Sequence, residues 1–194
     1  MTAPLTMSLD LDCSAEHAFW VWTSKIGLWW PADHTVTCRT DANVVLQGSV
    51  GGRIYERTPD GAEYDWGEVT VWEPPARLVY LWHLRRDRSD ATEVEIRFFA
   101  RGTEATRIEI EHRGWERLGG VADQWRDQNR AGWDSLLPHF LAAITQSRLP
   151  GHDYRATTTG PRLPKEIDDG RWHQARSVGA DHPAGQLWVH DVPR

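Results

Sequence analysis

Apolar and polar residues alternate at the start of the chain. Apolar side chains occupy every second position from Leu5 to Leu11, which is the period of a strand with one buried face. Ser14 can then cap a short amphipathic helix, and apolar residues continue until Pro31 interrupts them. The pattern predicts one strand followed by two short helices.

Six further strand-like segments follow between residues 43 and 113. Turns rich in Gly and Pro separate them, for example at residues 51–52, 59–61 and 73–75, where the chain reverses or strand pairing stops. Links this short join neighbouring strands, so an antiparallel meander is predicted. The six segments span residues 44–50, 53–57, 64–72, 78–84, 93–100 and 105–112.

The periodicity then changes to that of a helix. Apolar residues recur at helical spacing from Val121 to Ile144. Pro138 lies inside this pattern, where the loss of a backbone hydrogen bond costs about 3 kcal/mol and bends a helix. Burying a single large apolar side chain contributes about 1.5–3 kcal/mol, so the apolar stripe outweighs this penalty. We predict one long helix with a bend near Pro138, wrapped by the sheet.

The pattern is lost beyond residue 146. Residues 149–169 are rich in Pro, Gly, Thr and charge, which is typical of a linker. Residues 172–178 and 186–192 have the pattern of a hairpin around an intervening turn. The sequence therefore predicts a folded domain over residues 1–147 and an extension over residues 148–194.

Charge and composition exclude several classes of protein. The chain has 194 residues and a net charge of -6, with acidic and basic residues interspersed, so it lacks the basic surface that binds nucleic acid. It has no apolar run of about 20 residues that would span a bilayer and no leader-like start. We therefore predict a cytoplasmic protein that binds neither nucleic acid nor membrane.

The cysteine and tryptophan content limits which kinds of site the chain can contain. Cys13 and Cys38 lie outside any CxxC pattern, which argues against a disulfide framework and against a metal site. Twelve tryptophans against four phenylalanines are suited both to a core and to the wall of a ligand pocket. Composition leaves these two uses open.

Several short segments also match a known family in order and spacing. They are residues 51–55 (GGRIY), 66–69 (WGEV), 73–82 (EPPARLVYLW), 111–115 (EHRGW), and Gly132-Trp133 with Leu136. Through them the chain resembles the AHSA-like branch of the START-like SRPBCC superfamily, named after homologues of an activator of a heat-shock chaperone ATPase. The resemblance covers Leu5 to about residue 146. It implies an α+β helix-grip fold, with a curved antiparallel sheet of about seven strands around a long C-terminal helix.

The resemblance implies several functions. Members of the superfamily include carriers and sequestering proteins for hydrophobic natural products, cyclases or dehydratases, and cochaperone-type partners. We predict that the chain binds a small, largely apolar or aromatic molecule in an internal cavity, without a cofactor or metal. Two alternatives stay open: a cyclase, dehydratase or hydrolase using the same cavity, and a protein-interaction module whose extension docks a partner or forms a homodimer.

His112 is the polar residue that the pattern places most clearly inside the fold. On the last strand it shares a face with Thr106, Ile108 and Ile110, whereas charged residues occupy the other face. A histidine there can exchange a proton near neutral pH, yet a histidine at this strand end is also a structural feature of the family. His112 is therefore a candidate for catalysis and for ligand binding, with a purely structural role open.

Glu68 is the second catalytic candidate, because the alternation places it on the same face as Trp66. Facing inward, a carboxylate in apolar surroundings would have a raised pKa suited to acid–base chemistry. Facing outward, Glu68 would be a solvated charge.

Aromatic residues complete the predicted ligand-binding set. Tyr55, Trp66 and Trp82 alternate with polar neighbours on central strands, so they can line a pocket or fill a core. On the long helix, Trp125 can line the same pocket, and Asn129 interrupts the apolar stripe, where its amide would orient a ligand or face water.

Overall fold

The computed structural model describes residues 2–84 and 86–148. The predicted linker and hairpin over residues 149–194 lie outside the described residues, and so does the dimer contact expected there. Among the described residues, no helix is both long and apolar enough to cross a bilayer.

Seven strands form one antiparallel sheet in the order β1-β7-β6-β5-β4-β3-β2. The meander predicted from the short turns accounts for β2 to β7, and β1 joins the sheet beside the last strand. The strands are β1 Leu5–Leu11, β2 Asn43–Leu46, β3 Arg53–Arg57, β4 Glu63–Glu73, β5 Arg77–Trp82, β6 Thr92–Gly102 and β7 Ala105–Arg113.

The two faces of the sheet differ in chemistry. Ile110 of β7 stands opposite Met7 of β1 and Ile96 of β6, and directly opposed residues share a face. This face is buried. The other face carries charged side chains that pair across strands, such as Glu95 with Arg113.

The helices cover the apolar face. Ser14 caps α1 (Ala15–Ser24) by accepting a hydrogen bond from the His17 amide, α2 spans Ile26–Trp29, and α3 spans Ala122–Ser147. Trp22 of α1 is 1% exposed and contacts the rings of Trp133 and Phe140 on α3, with centroids 6.3 and 4.7 Å away. The curled seven-stranded sheet with its long helix confirms the helix-grip prediction, including the two short helices after β1.

Burial along α3 is uneven. Between Asp123 and Gly132 every side chain is exposed or half-buried. The buried residues after that segment are Trp133, Leu136, Leu137, Phe140 and Ile144. The last turns of α3 therefore provide most of the surface that fixes it to the domain.

Pro138 lies within α3, which continues through it from Ala122 to Ser147. Its side chain is exposed, so replacing it changes the backbone more than the core. Pro138→Ala restores a backbone donor, and we expect the free energy of unfolding to rise by about 1–3 kcal/mol. Thermal unfolding should show a Tm higher by several degrees. Pro4→Ala, at an exposed position before β1, should leave Tm unchanged, and an unchanged or lower Tm for Pro138→Ala would contradict the prediction.

Candidate functional site

Four aromatic side chains meet at one end of the apolar face. Trp30, which follows α2, lies 5.3 Å from Trp66 of β4 and 5.9 Å from Trp82 of β5, measured between ring centroids. Trp66 and Trp82 are 5.9 Å apart, and Tyr80 lies 6.0 Å from Trp82. These separations are typical of edge-to-face and tilted aromatic pairs. We refer to Trp30, Trp66, Tyr80 and Trp82 as the aromatic cluster.

A β-bulge turns Trp66 into this cluster. On β3 Ile54 pairs with Gly67, whereas Tyr55 pairs with Asp65, so Trp66 is the extra residue on β4. A bulge bends its strand and redirects a side chain. Gly67 permits this arrangement, because a Cβ atom there would lie 2.2 Å from the carbonyl oxygen of Leu81.

The aromatic cluster contains a hydrogen-bond donor without a partner. Trp66 is fully buried, and its indole Nε1 has no partner among the residues that the structure describes. Burial raises the pKa of Tyr80, so its phenol keeps its proton. Trp30 and Trp82 are only half-buried, so the cluster extends from the interior toward the surface.

His112 lies inside the fold, as predicted, at 1% exposure. The indole N–H of Trp133 donates to its Nδ1 at 3.2 Å, and its Nε2 lies 2.8 Å from Oγ1 of Thr92. A neutral ring with its proton on Nε2 satisfies both contacts, and the Thr92 hydroxyl can then donate to the carbonyl of Trp82 at 3.2 Å. Burial lowers the pKa of His112 to about 3.

These contacts favour the structural interpretation of His112. Both ring nitrogens are occupied by protein groups, and a strongly lowered pKa keeps the ring neutral at ordinary pH. Trp115 adds a further tie, because its indole N–H donates to the backbone carbonyl of His112 at 3.0 Å. His112 thus joins β7, β6 and α3 behind the aromatic cluster.

Glu68 lies apart from His112 and on the surface side of β4. The bulge at Trp66 breaks the alternation, so the expectation that Trp66 and Glu68 share a face is wrong. Glu68 is half-buried and accepts a hydrogen bond from Nε of Arg88 at 2.7 Å. This hydrogen bond lowers the pKa of Glu68, the opposite of the shift expected for an inward carboxylate.

The structure does not bring Tyr55 into the aromatic cluster. Tyr55 lies on the face of β3 opposite to Ile54, with the guanidinium groups of Arg53 and Arg57 at 4.5 and 5.4 Å from its ring centroid. Arg57 also donates to the Tyr55 hydroxyl at 3.0 Å. The residue is buried by arginine stems and charge-assisted contacts rather than by the aromatic core.

Trp125 and Asn129 are engaged near the start of α3. The guanidinium carbon of Arg86 stands 4.2 Å from the Trp125 ring centroid. The amide of Asn129 donates to the carbonyl of Trp125 at 2.8 Å. Both side chains are half-buried. Their roles as ligand contacts stay predictions.

Two open clefts formed by described residues lie away from the aromatic cluster. One lies on the charged face of β1, β6 and β7, and the other lies between α2 and β2. Neither is lined by a predicted site residue, so the internal cavity stays a prediction. Within the described part of the chain, no group of three His, Cys, Asp or Glu residues could hold a metal ion.

One group of three side chains was not predicted from the sequence. His34 Nδ1 lies 2.9 Å from Oδ1 of Asp33, and His34 Nε2 lies 2.7 Å from Oγ of Ser135. A serine, a histidine and an aspartate therefore stand in series at hydrogen-bond distances. His34 and Ser135 are 101 positions apart, so no local motif could have predicted their meeting.

Comparison with known proteins identifies the architecture. The family model described as activator of Hsp90 ATPase homolog 1-like protein matches residues 12–146. The chain matched none of the curated protein sequences with which it was compared.

Several solved structures resemble the domain. A protein from Mesorhizobium loti is 16% identical with a TM-score of 0.56, over 76% of this chain and 100% of that one. CalC from Micromonospora echinospora, described as a self-sacrificing resistance protein, is 24% identical with a TM-score of 0.54, over 74% and 95% of the two chains. An anthrahydroquino-γ-pyrone synthase is 33% identical with a TM-score of 0.49, over 63% and 84%. The first two likenesses show the fold.

Proposed function

The chain belongs to the family of activator of Hsp90 ATPase homolog 1-like proteins, and on this premise we propose that it binds a small, flat, largely apolar molecule at the aromatic cluster. The observation that carries the proposal is the buried indole N–H of Trp66, which has no partner among the described residues. The ligand would stack on the surrounding rings and offer an acceptor oxygen to this donor.

The rings provide the apolar part of the site. Trp30 and Trp82 are half-buried and lie 5.9 Å apart at a tilt of 44°. Removing an aromatic surface from water contributes about 25 cal/mol per Å² of apolar area. A flat molecule that covers these two rings therefore gains affinity from burial and from ring contacts.

The indole N–H of Trp66 provides specificity. A buried donor without a partner costs about 1–3 kcal/mol relative to a satisfied one. A ligand oxygen that accepts from Nε1 removes this cost, whereas a pure hydrocarbon leaves it in place. The site should thus prefer an aromatic carbonyl compound over a hydrocarbon of the same shape.

Binding without turnover at this site fits the placement of the two catalytic candidates. Both nitrogens of His112 are engaged by protein groups, and Glu68 is paired with Arg88. Neither group is available to act as acid or base on one ligand. CalC, which is described as a self-sacrificing resistance protein, has a similar fold.

A matched pair of ligands tests the proposal. We expect 9-fluorenone to bind about tenfold more tightly than fluorene in equilibrium dialysis, because only fluorenone offers a carbonyl oxygen. Trp66→Phe keeps a ring and removes the N–H, so it should abolish the preference while retaining weak binding of both compounds. Trp20→Phe, outside the cluster, should keep the preference. Equal binding of the two compounds to the unmodified protein, or no binding of either, would refute the proposed function.

A further inference from the structure

Three side chains are arranged as a nucleophile, a base and an orienting carboxylate, in the order Ser135, His34 and Asp33. The His34 ring is buried, with 7% of the side chain exposed, whereas the Asp33 side chain is 54% exposed. Ser135 is exposed. A buried imidazole thus links a solvent-facing hydroxyl to a carboxylate.

The chain fixes the position of this imidazole. His34 ends a single 3-10 turn, Ala32–His34, that follows Pro31. The indole N–H of Trp30 donates to the carbonyl of His34 at 3.0 Å, and the Thr35 amide donates to the carbonyl of Ala32. These bonds fix the backbone of the turn, and the ring reaches α3 through its contact with Ser135.

Asp33 selects the tautomer that can act as a base. Its carboxylate only accepts hydrogen bonds when ionised, so Nδ1 of His34 carries the proton that it shares with Asp33. The lone pair of Nε2 then faces Oγ of Ser135 at 2.7 Å. This is the assignment of roles that defines a Ser-His-Asp triad on any fold.

Ser135 is accessible to a substrate. It lies on the outer side of α3, and its hydroxyl has two acceptors within reach, Nε2 of His34 and the carbonyl of Gly132 at 3.0 Å. Rotation about the Cβ–Oγ bond redirects the hydroxyl hydrogen from the carbonyl of Gly132 to Nε2 of His34. The hydroxyl is then oriented for deprotonation as its oxygen attacks.

We propose that Ser135 is a nucleophile for activated acyl esters, with His34 as its general base and Asp33 as the residue that positions His34. Oγ of Ser135 forms a bond to the ester carbonyl carbon, and its proton moves to Nε2 of His34. The bond from that carbon to the leaving oxygen breaks, and the leaving group takes the proton from His34. Water then cleaves the acyl-serine with His34 again as base, so ester and water become acid and alcohol.

The position of Ser135 within a helix should slow both acylation and deacylation. Ser135 lies within α3, where backbone N–H groups are committed to helical hydrogen bonds. The helix itself therefore offers no preformed pair of donors for the oxyanion, an interaction worth about 10²–10³ in rate per donor. An ester with a good leaving group should still acylate the protein faster than the acyl-serine is hydrolysed, because in deacylation the leaving group is the more basic Ser135 oxygen. The protein should therefore be acylated once and then turn over slowly.

The experiment mixes the full chain with p-nitrophenyl acetate and follows p-nitrophenolate release and intact mass. We expect a burst of about one equivalent, and one acetyl group mapped to Ser135 by peptide fragmentation. Ser135→Ala should abolish the burst. Asp33→Asn, at an exposed side chain, should slow acylation about a hundredfold or more. Asp33→Asn should keep the burst near one equivalent and change only its rate, which an unfolded variant would not do.

Ser147→Ala is the matched control. Ser147 also lies on α3, with its hydroxyl 2.9 Å from Nε2 of another histidine, His17, and its loss should leave the burst unchanged. Circular dichroism confirms that each variant is folded. Acetylation confined to lysine or to the amino terminus, an unchanged burst in Ser135→Ala, or no burst in the unmodified protein would each overturn the proposal.

Discussion

Replacing His112 with alanine is expected to lower the free energy of unfolding by about 3–5 kcal/mol. The substitution leaves a cavity in a fully buried position and removes the acceptor of the Trp133 indole and the ring partner of Thr92. Both effects act on the folded state. Urea denaturation followed by circular dichroism gives the change directly.

Two further variants test whether the loss of stability comes from the buried contacts of His112. His139→Ala, at an exposed position on α3, should change the free energy of unfolding by less than about 0.5 kcal/mol. His112→Gln can still accept from Trp133 and donate to Thr92, so it should recover part of the loss. A change below about 1 kcal/mol for His112→Ala would show that these hydrogen bonds do not hold the fold.

The second large effect is a loss of stability in mild acid. Burial lowers the pKa of His112 to about 3, whereas an unfolded histidine has a pKa of about 6.5. Between these values the unfolded state binds one more proton than the folded state. The free energy of unfolding should therefore fall by about 1.4 kcal/mol for each pH unit as the pH drops. Above the unfolded pKa His112 is neutral in both states and has no such effect.

Glu95 also lowers the free energy of unfolding as the pH falls, but it does so at lower pH than His112. Burial would raise the pKa of Glu95, but hydrogen bonds from Arg113, Arg77 and Arg97 outweigh it and hold the pKa at about 2. The stabilisation from Glu95 is complete above the unfolded pKa of 4.5 and is lost as the pH falls toward 2. Above pH 4.5, therefore, the change in stability with pH includes the effect of His112 but not that of Glu95.

Urea denaturation at a series of pH values tests the assignment. The unmodified protein should lose stability between about pH 6.5 and 5 more steeply than His112→Gln, which cannot titrate there. The difference in slope should approach 1.4 kcal/mol per pH unit, about the value for one proton. Parallel curves would mean that His112 does not remain neutral in the folded protein.

Regular periodicity explains why the fold could be predicted. On β7 the apolar residues at every second position place His112 on the buried face, and the structure confirms this. Likewise the helical spacing from Val121 to Ile144 corresponds to α3. On β7 the period of two holds throughout, and on α3 helical spacing continues across the turns that are buried, so the sequence contains the information for both elements.

The same reasoning fails on β4 because of one extra residue. A strict period of two places Trp66 and Glu68 together, whereas the bulge opposite Ile54 and Tyr55 sends Trp66 inward and leaves Glu68 beside Arg88. Bulges depend on how the neighbouring strand pairs. The periodicity of β4 alone therefore does not predict the side of each residue.

Contacts between distant segments could not be predicted from the sequence, for a different reason. Asp33 and His34 stand on a turn after α2, and Ser135 lies on a helix that crosses the same surface much later in the chain. Their meeting depends on how α3 docks, which periodicity does not define. That the Trp66 indole finds no partner within residues 2–84 and 86–148 is also a property of the packed interior rather than of any motif.

The uneven burial of α3 has a consequence for motion. The segment from Asp123 to Gly132 contains no fully buried side chain, whereas the turns after it include Trp133 and Phe140. Local opening exposes less apolar surface in the first segment and so costs less free energy. Amide hydrogens in the first turns should exchange with deuterium well before those around Phe140. The helix can thus fray from its amino-terminal end on short timescales while its carboxyl-terminal turns stay docked on the sheet.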